Sequence, residues 1–184
     1  ASPVAPTIVW SSLASSPTNA FTITATFSEP VTGFAIGGLT VGNGTASDFA
    51  ATSTSVYTAT ITPTADGAVT VDAAAGVAQD AGGVDNIAAS QFSIAADVTV
   101  PTITISSPVA DPANGAFTAT FTFSENVTGF DVADINVGNG TAGSFAATSA
   151  LIYTAEITPL TDGTVTIDVP ANVAQDAATN GNTA

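Results

Sequence analysis

The sequence predicts an all-β fold built as two tandem sandwiches. Three observations carry that reading. Apolar residues recur at every second position, turn-forming residues separate the runs, and the first half of the chain returns in the second.

The alternation can be followed strand by strand. Trp10 falls in the first strand, as a lone core or edge residue. Phe21, Ile23, Ala25 and Phe27 then alternate with Thr22, Thr24, Thr26 and Ser28. Tyr57, Ala59 and Ile61 alternate with Thr58, Thr60 and Thr62, and Val69, Val71 and Ala73 with Thr70 and Asp72. Phe92 and Ile94 alternate with Gln91, Ser93 and Ala95 in a last strand. Thr and Val are β-branched and suit a pleated, half-buried surface. Asn43-Gly44, Thr64-Ala65-Asp66-Gly67 and Gly82-Gly83 mark turns between the runs. Asn-Gly reads as a two-residue hairpin turn, because both residues accept positive φ. Helical spacing is confined to a single conceivable turn within residues 73–81. About seven short strands with one apolar face argue an immunoglobulin-like sandwich.

The repeat is near-literal. Phe21 returns as Phe117, Tyr57 as Tyr153, Asp66 as Asp162 and Asp80 as Asp176, each pair 96 positions apart (117 − 21). VGNGTA at 41–46 recurs at 137–142, FAATS at 49–53 at 145–149, and VAQDA at 77–81 at 173–177. Two domains of ordinary size follow, residues 1–96 and 97–184. The first continues past Ala88 with its last strand. The second stops at Ala184, which aligns with Ala88, so its last strand is missing from the segment or is donated in trans by another subunit.

Composition removes whole classes of function. The chain has no Lys, Arg, His, Cys or Met, and 15 Asp and Glu carry all the side-chain charge. Nothing is present to neutralise phosphates or anionic lipid, which argues against nucleic acid and charged membrane as partners. The apolar runs are too short to insert into a bilayer. Without Cys, there is no disulfide and no zinc–thiolate site. A hydrolytic triad lacks its base, and the single Trp and two Tyr are poor walls for a carbohydrate cleft, so no enzyme is expected. Tyr57 and Tyr153 fall on the inward side and read as core. The carboxylates have no basic partner and must stay solvated, be screened, or hold cations. An acidic segment of an exported, extracellular protein is the simplest reading.

FTITATFSEPVTGF, LTVGNGTASDF, YTATITPTADGAVTV and VAQDAGGVDN, with FTATFTFSENVTGFDVADINVGNGT, YTAEITPLTDGTVTI and VAQDAATNGN in the second copy, resemble the bacterial Ig-like repeats of large secreted and surface adhesins. The resemblance covers nearly the whole chain. It implies an extender of a cell-surface protein, with neighbouring repeats as partners. It also implies rigidification by Ca²⁺, since many such repeats are stiffened in that way.

Glu29 and Glu125 point to the same ion. Each continues the inward side of its strand, in TFSEPVTGF and TFSENVTGF. A carboxylate in a core costs several kcal/mol unless it is paired or coordinated, so these belong at the sandwich rim. An immunoglobulin-like order brings the last loop to that rim. It carries Asp80 and Asp85 in the first copy, and Asp176, Asn180 and Asn182 in the second. The linker adds Asp97, and the turn at 64–67 adds Asp66. Asp97, Glu125 and Asp176, with Asp66 and an Asn, are therefore expected to converge at the junction on Ca²⁺, which takes six to eight oxygens. In the first copy Ser2 stands where Asp97 stands in the second (Pro6 aligning with Pro101), so its site is incomplete. The alternative is that Glu29 and Glu125 are solvated strand ends, and that Asp80 and Asp176 cap their own turns.

Other features admit other roles. Asp131 and Asp134, in DVAD, offer a second local cation site. Asn43, Asn126 and Asn139 begin N-x-T glycan acceptor sequences. The uncharged Thr-rich outer faces allow an adhesive module that binds a glycan or another surface. Donation of the missing strand between identical subunits would build a filament.

Overall fold

The computed structural model describes residues 4–16, 18–108, 113 and 115–184. The chain forms two compact units, Ala1–Val98 and Thr99–Ala184. Among the described residues, no helix is long and apolar enough to cross a membrane.

The first unit holds β1 (Ile8–Ser11), β2 (Phe21–Phe27), β3 (Leu39–Gly42), β4 (Gly44–Ala51), β5 (Val56–Pro63), β6 (Gly67–Ala73) and β7 (Phe92–Ala96). They form an antiparallel sheet β1-β2-β5-β4 and a second, β3-β6-β7. This four-plus-three order is that of an immunoglobulin constant-type sandwich. The second unit holds β8 (Ile103–Ser106), β9 (Phe117–Phe123), β10 (Asn136–Gly138), β11 (Gly140–Ala147), β12 (Ile152–Pro159) and β13 (Thr166–Asp168). Its sheets are β8-β9-β12-β11 and β10-β13. Among the described residues nothing takes the place of β7 beside β13.

Period-two patterning builds the core as expected. On β2, Phe21, Ile23, Ala25 and Phe27 are buried, while the threonines between them face outward. The same holds for Tyr57, Ala59 and Ile61 on β5. An aromatic quartet organises each core. Phe34 meets Tyr57 edge-on at 5.1 Å, with Phe27 and Phe49 around them. Phe130 meets Tyr153 at 5.3 Å, with Phe123 and Phe145 in the same places. Edge-to-face contacts of this kind add about 1 kcal/mol each beyond area burial. Each tyrosine hydroxyl donates to a backbone carbonyl: Tyr57 to Val31 at 3.2 Å and Tyr153 to Val127 at 3.0 Å. A buried phenol needs such a partner.

One local expectation is corrected, and one pair of carboxylates has a local structural role. Asn43-Gly44 and Asn139-Gly140 are not hairpin turns. β3 and β4 belong to different sheets, as do β10 and β11, so each Asn-Gly is a corner where the chain changes sheet. Asn43 and Asn139 have φ of 55° and 54°, the left-handed conformation that Asn tolerates. Asp131 and Asp134 form a capping box on the short 3-10 turn Val132–Asp134. The Ala133 N–H donates to Asp131 Oδ1 at 2.7 Å, and the Asp131 N–H to Asp134 Oδ2 at 2.8 Å.

Candidate metal centre

Three segments meet where β9 leaves the second core. Phe123 is the last residue of the strand and is buried, and Glu125 follows two residues later, half-buried. The linker ahead of β8 is fastened there. Thr102 N–H donates to Ser124 Oγ at 2.9 Å, and Ser124 N–H returns a bond to Thr102 O at 2.9 Å. The last loop is fastened too: Thr128 and Gln175 exchange backbone bonds of 2.8 and 2.9 Å, and Thr183 N–H reaches Pro101 O at 2.9 Å. Asp176 directly follows Gln175, and Glu125 lies just ahead of Thr128, so this bridge draws the two carboxylates together.

Asp97, Glu125 and Asp176 each offer a carboxylate oxygen, and these oxygens lie within 4.8 Å of one another. Asp97 and Glu125 are half-buried, and Asp176 is only 7 % exposed. Oxygens that share one Ca²⁺ at 2.3–2.6 Å stand up to about 5 Å apart, so the spacing fits that ion. Two carboxylates at this separation repel by between about 1 and 3 kcal/mol, depending on how far water screens them. No basic side chain exists anywhere in the chain to offset that repulsion. Asp176 also shapes its own loop. Its Oδ1 accepts from Ala178 N–H (2.8 Å) and Asn180 N–H (2.9 Å), and its Oδ2 from Asn180 Nδ2 (2.8 Å). A carboxylate offers about four acceptor directions, so these bonds leave capacity for a cation.

The remaining candidates have other places. Asp66 accepts from Val98 N–H at 2.7 Å, next to Asp97 in sequence. Asn180 leans on Asp176 as described. Asn182 is 1 % exposed, and its amide staples the loop. Its Oδ1 accepts from Val173 and Ala174 N–H at 3.0 and 2.9 Å, and its Nδ2 donates to Pro170 O and Thr183 O at 3.0 and 2.6 Å. Asn86 makes the corresponding staple in the first unit, to Ala78 N–H, Ala74 O and Ile87 O. This structural role escaped the sequence reading, although Asn recurs at the same place in both copies.

The first sandwich repeats the frame. Thr7 and Ser28 exchange bonds, Ile87 N–H reaches Pro6 O, and Thr32 pairs with Gln79. Glu29 and Asp80 are half-buried at the equivalent positions. Asp80 Oδ1 accepts from Gly82 and Val84 N–H at 2.7 and 2.8 Å. Asp85 is exposed and accepts from Gln79 Nε2 at 2.8 Å. The third position falls on Ser2, which lies outside the described residues. Of the glycan acceptor positions, Asn43 donates through Nδ2 to Ala65 O (2.8 Å) and Asn139 to Thr161 O (3.0 Å), whereas Asn126 is exposed.

Comparison with known proteins bears on the family of the chain. No curated protein matches the chain. Similar solved structures include FdeC, an Escherichia coli adhesin, at 18 % identity and TM-score 0.34, over 84 % of this chain and 54 % of that one. Invasin, a bacterial integrin-binding protein, is 17 % identical with TM-score 0.35, over 94 % of this chain and 38 % of its own. InvD of Yersinia pseudotuberculosis is 18 % identical with TM-score 0.32, over 95 % and 53 %. The chain thus spans between 38 % and 54 % of the length of these structures. A family model for the bacterial Ig-like domain matches twice, at residues 2–96 and 97–184, and the chain therefore belongs to the bacterial Ig-like domain family.

Proposed function

We propose that the chain is a structural, extending segment of an extracellular bacterial surface protein. Its junction is stiffened by Ca²⁺ held by Asp97, Glu125 and Asp176. The observation that carries this reading is the close approach of these carboxylates in a chain without one basic side chain. An ion there would supply positive charge and multidentate oxygen binding, and nothing more. The chain's own residues do the rest. The Thr128–Gln175 bridge and the Asn182 staple hold the loop that presents Asp176. The Thr102–Ser124 exchange holds the linker beside Glu125. Asp97 lies on that linker, so fixing its carboxylate restricts the direction in which one repeat follows another. Neighbouring repeats are the natural partners of such a segment.

Thermal unfolding in EDTA and in excess CaCl₂ tests this. An ion bound to the native state at 100 times its Kd adds about 2.7 kcal/mol, enough to raise Tm by several degrees. Asp97→Ala should remove most of the rise, and small-angle scattering should show a better-defined length with Ca²⁺. Asp72, which accepts from Gln91 Nε2 at 2.7 Å, is remote in sequence from the cluster, and Asp72→Ala should leave the rise intact. Equal melting in EDTA and Ca²⁺ would rule the proposal out.

A further inference from the structure

The turn that carries Asp66 is braced by the corner at Asn43. Thr64 N–H donates to Asn43 O at 3.2 Å, and Thr64 Oγ1 to Asn43 Oδ1 at 3.2 Å. Asn43 Nδ2 donates in return to Ala65 O at 2.8 Å. The brace recurs in the second sandwich, where Asn139 Nδ2 donates to Thr161 O and Thr161 donates to Asn139 Oδ1 through both N–H and Oγ1. Asp66 is the next residue of the first turn, and its Oδ1 accepts from Val98 N–H at 2.7 Å. The residue before Val98 is Asp97. Its own N–H donates to Thr18 O at 2.9 Å, while Thr18 N–H donates to Ala95 O at 3.2 Å. Thr18 and Ala96 are both buried, so the end of β7 is packed there as well as bonded. All of these residues belong to the first unit, Ala1–Val98. Two successive amides leaving β7 are therefore taken by two different segments of one sandwich.

We infer that Asp66 is a positioning residue for the cation site rather than one of its ligands. The inference rests on the calcium reading above. Among the described residues the converging carboxylates are Asp97, Glu125 and Asp176, and Asp66 stands outside that group. One of its oxygens is committed to the backbone amide that follows the ligand Asp97. A carboxylate accepting an N–H makes a short, charge-assisted bond, and 2.7 Å is within that range. The peptide planes on either side of the Asp97 Cα are both held, one by Thr18 and the other by Asp66. Both backbone torsions of Asp97 are restrained, which leaves its carboxylate little to lose when an ion arrives. A ligand ordered in advance binds with less entropic cost. Asn43 acts one step further back, by fixing the turn from which Asp66 reaches.

The test titrates CaCl₂ into the 184-residue chain and its Asp66→Ala, Asp66→Asn and Asn43→Gly variants, and follows deuterium exchange of the Val98 amide in EDTA. Asp66→Ala should raise the Kd for Ca²⁺ about tenfold with stoichiometry unchanged, the low end of what losing an outer partner of a metal ligand costs. The Val98 amide should exchange at least about tenfold faster, with no ion present. Asp66→Asn keeps an oxygen for that amide and should stay within about threefold of the parent in both readouts. Asn43→Gly keeps the positive φ and removes only the side-chain brace, so it should move both readouts the same way by a smaller factor. The melting temperature in EDTA should hold in Asp66→Ala, because the bond lies beyond the end of β7 and its loss frays only the linker. Unchanged Kd and unchanged Val98 exchange in Asp66→Ala, in a parent that binds Ca²⁺, overturn the role of Asp66 alone. An equal loss of affinity in Asp66→Asn overturns it in favour of direct coordination. A fall in melting temperature that is the same in EDTA and in Ca²⁺ overturns it in favour of a purely structural bond. A parent chain that takes up no Ca²⁺ overturns the calcium reading itself, and with it the site that Asp66 would serve.

Discussion

The two sandwiches share a backbone plan but solve one packing problem in opposite ways. In the first, Trp10 on β1 lies opposite Ala25 on β2. In the second, Ile105 on β8 lies opposite Phe121 on β9. A large residue faces a small one in the first pair, and the bulk moves to the partner strand in the second. Cores tolerate such exchanges when total volume and patterning are kept. The exchange has a polar consequence, because Trp10 Nε1 is buried without a hydrogen-bond partner in the described structure. The comparison teaches that the repeat preserves volumes across a strand pair rather than residues at a position. Loop polar groups behave differently: Asn86 and Asn182, or Asp80 and Asp176, keep both position and bonding.

The largest effect is expected where the copies agree. Asn182→Ala and Asn86→Ala each strand several buried backbone groups, at a cost of about 3 kcal/mol. Trp10, the only Trp, lies in the first unit, so its fluorescence isolates that unit from the far-ultraviolet signal of both. Asn86→Ala should lower the fluorescence midpoint, and Asn182→Ala should lower only the remaining transition. Next comes the exchanged pair. Trp10→Ile opens a void and should cost about 2 to 3 kcal/mol, and Ala25→Phe alone overpacks at a similar cost. The double variant reproduces the pair of the second copy and should recover at least about 1 kcal/mol over the sum of the single changes. Additive losses in urea melts would show that the pairs are not equivalent. The smallest effect concerns the loop before Asn180. Thr179 has φ of 69°, a strained value for a β-branched residue, and Gly83 holds the equivalent place at 80°. Thr179→Gly should gain up to about 1 kcal/mol, and Gly83→Thr should lose about as much.

Much of this was legible in the sequence. Alternation set strand identity and inward parity, and parity placed Glu29 and Glu125 at the rim. The 96-residue repeat doubled each observation, and a seven-strand order was enough to bring Asp176 toward Glu125. What escaped depends on distant partners. Asn-Gly favours positive φ equally in a hairpin and at a corner between sheets, and only the pairing of β3 with β6 tells them apart. The capping box of Asp131 and Asp134 also escaped the sequence reading, because it depends on which backbone N–H groups the short turn brings near. Asn182 reads as an oxygen ligand until its amide is seen to face four backbone groups. The Trp10–Ala25 exchange is invisible without the register of β1 on β2.

The measurement closest to the centre of the account is calorimetric titration of CaCl₂ into the metal-free chain and its variants. The account predicts saturable binding of one Ca²⁺ per chain, lost in Asp97→Asn and in Glu125→Gln and kept in Glu29→Gln. Absence of binding in the parent chain, or binding that survives both substitutions, would contradict it.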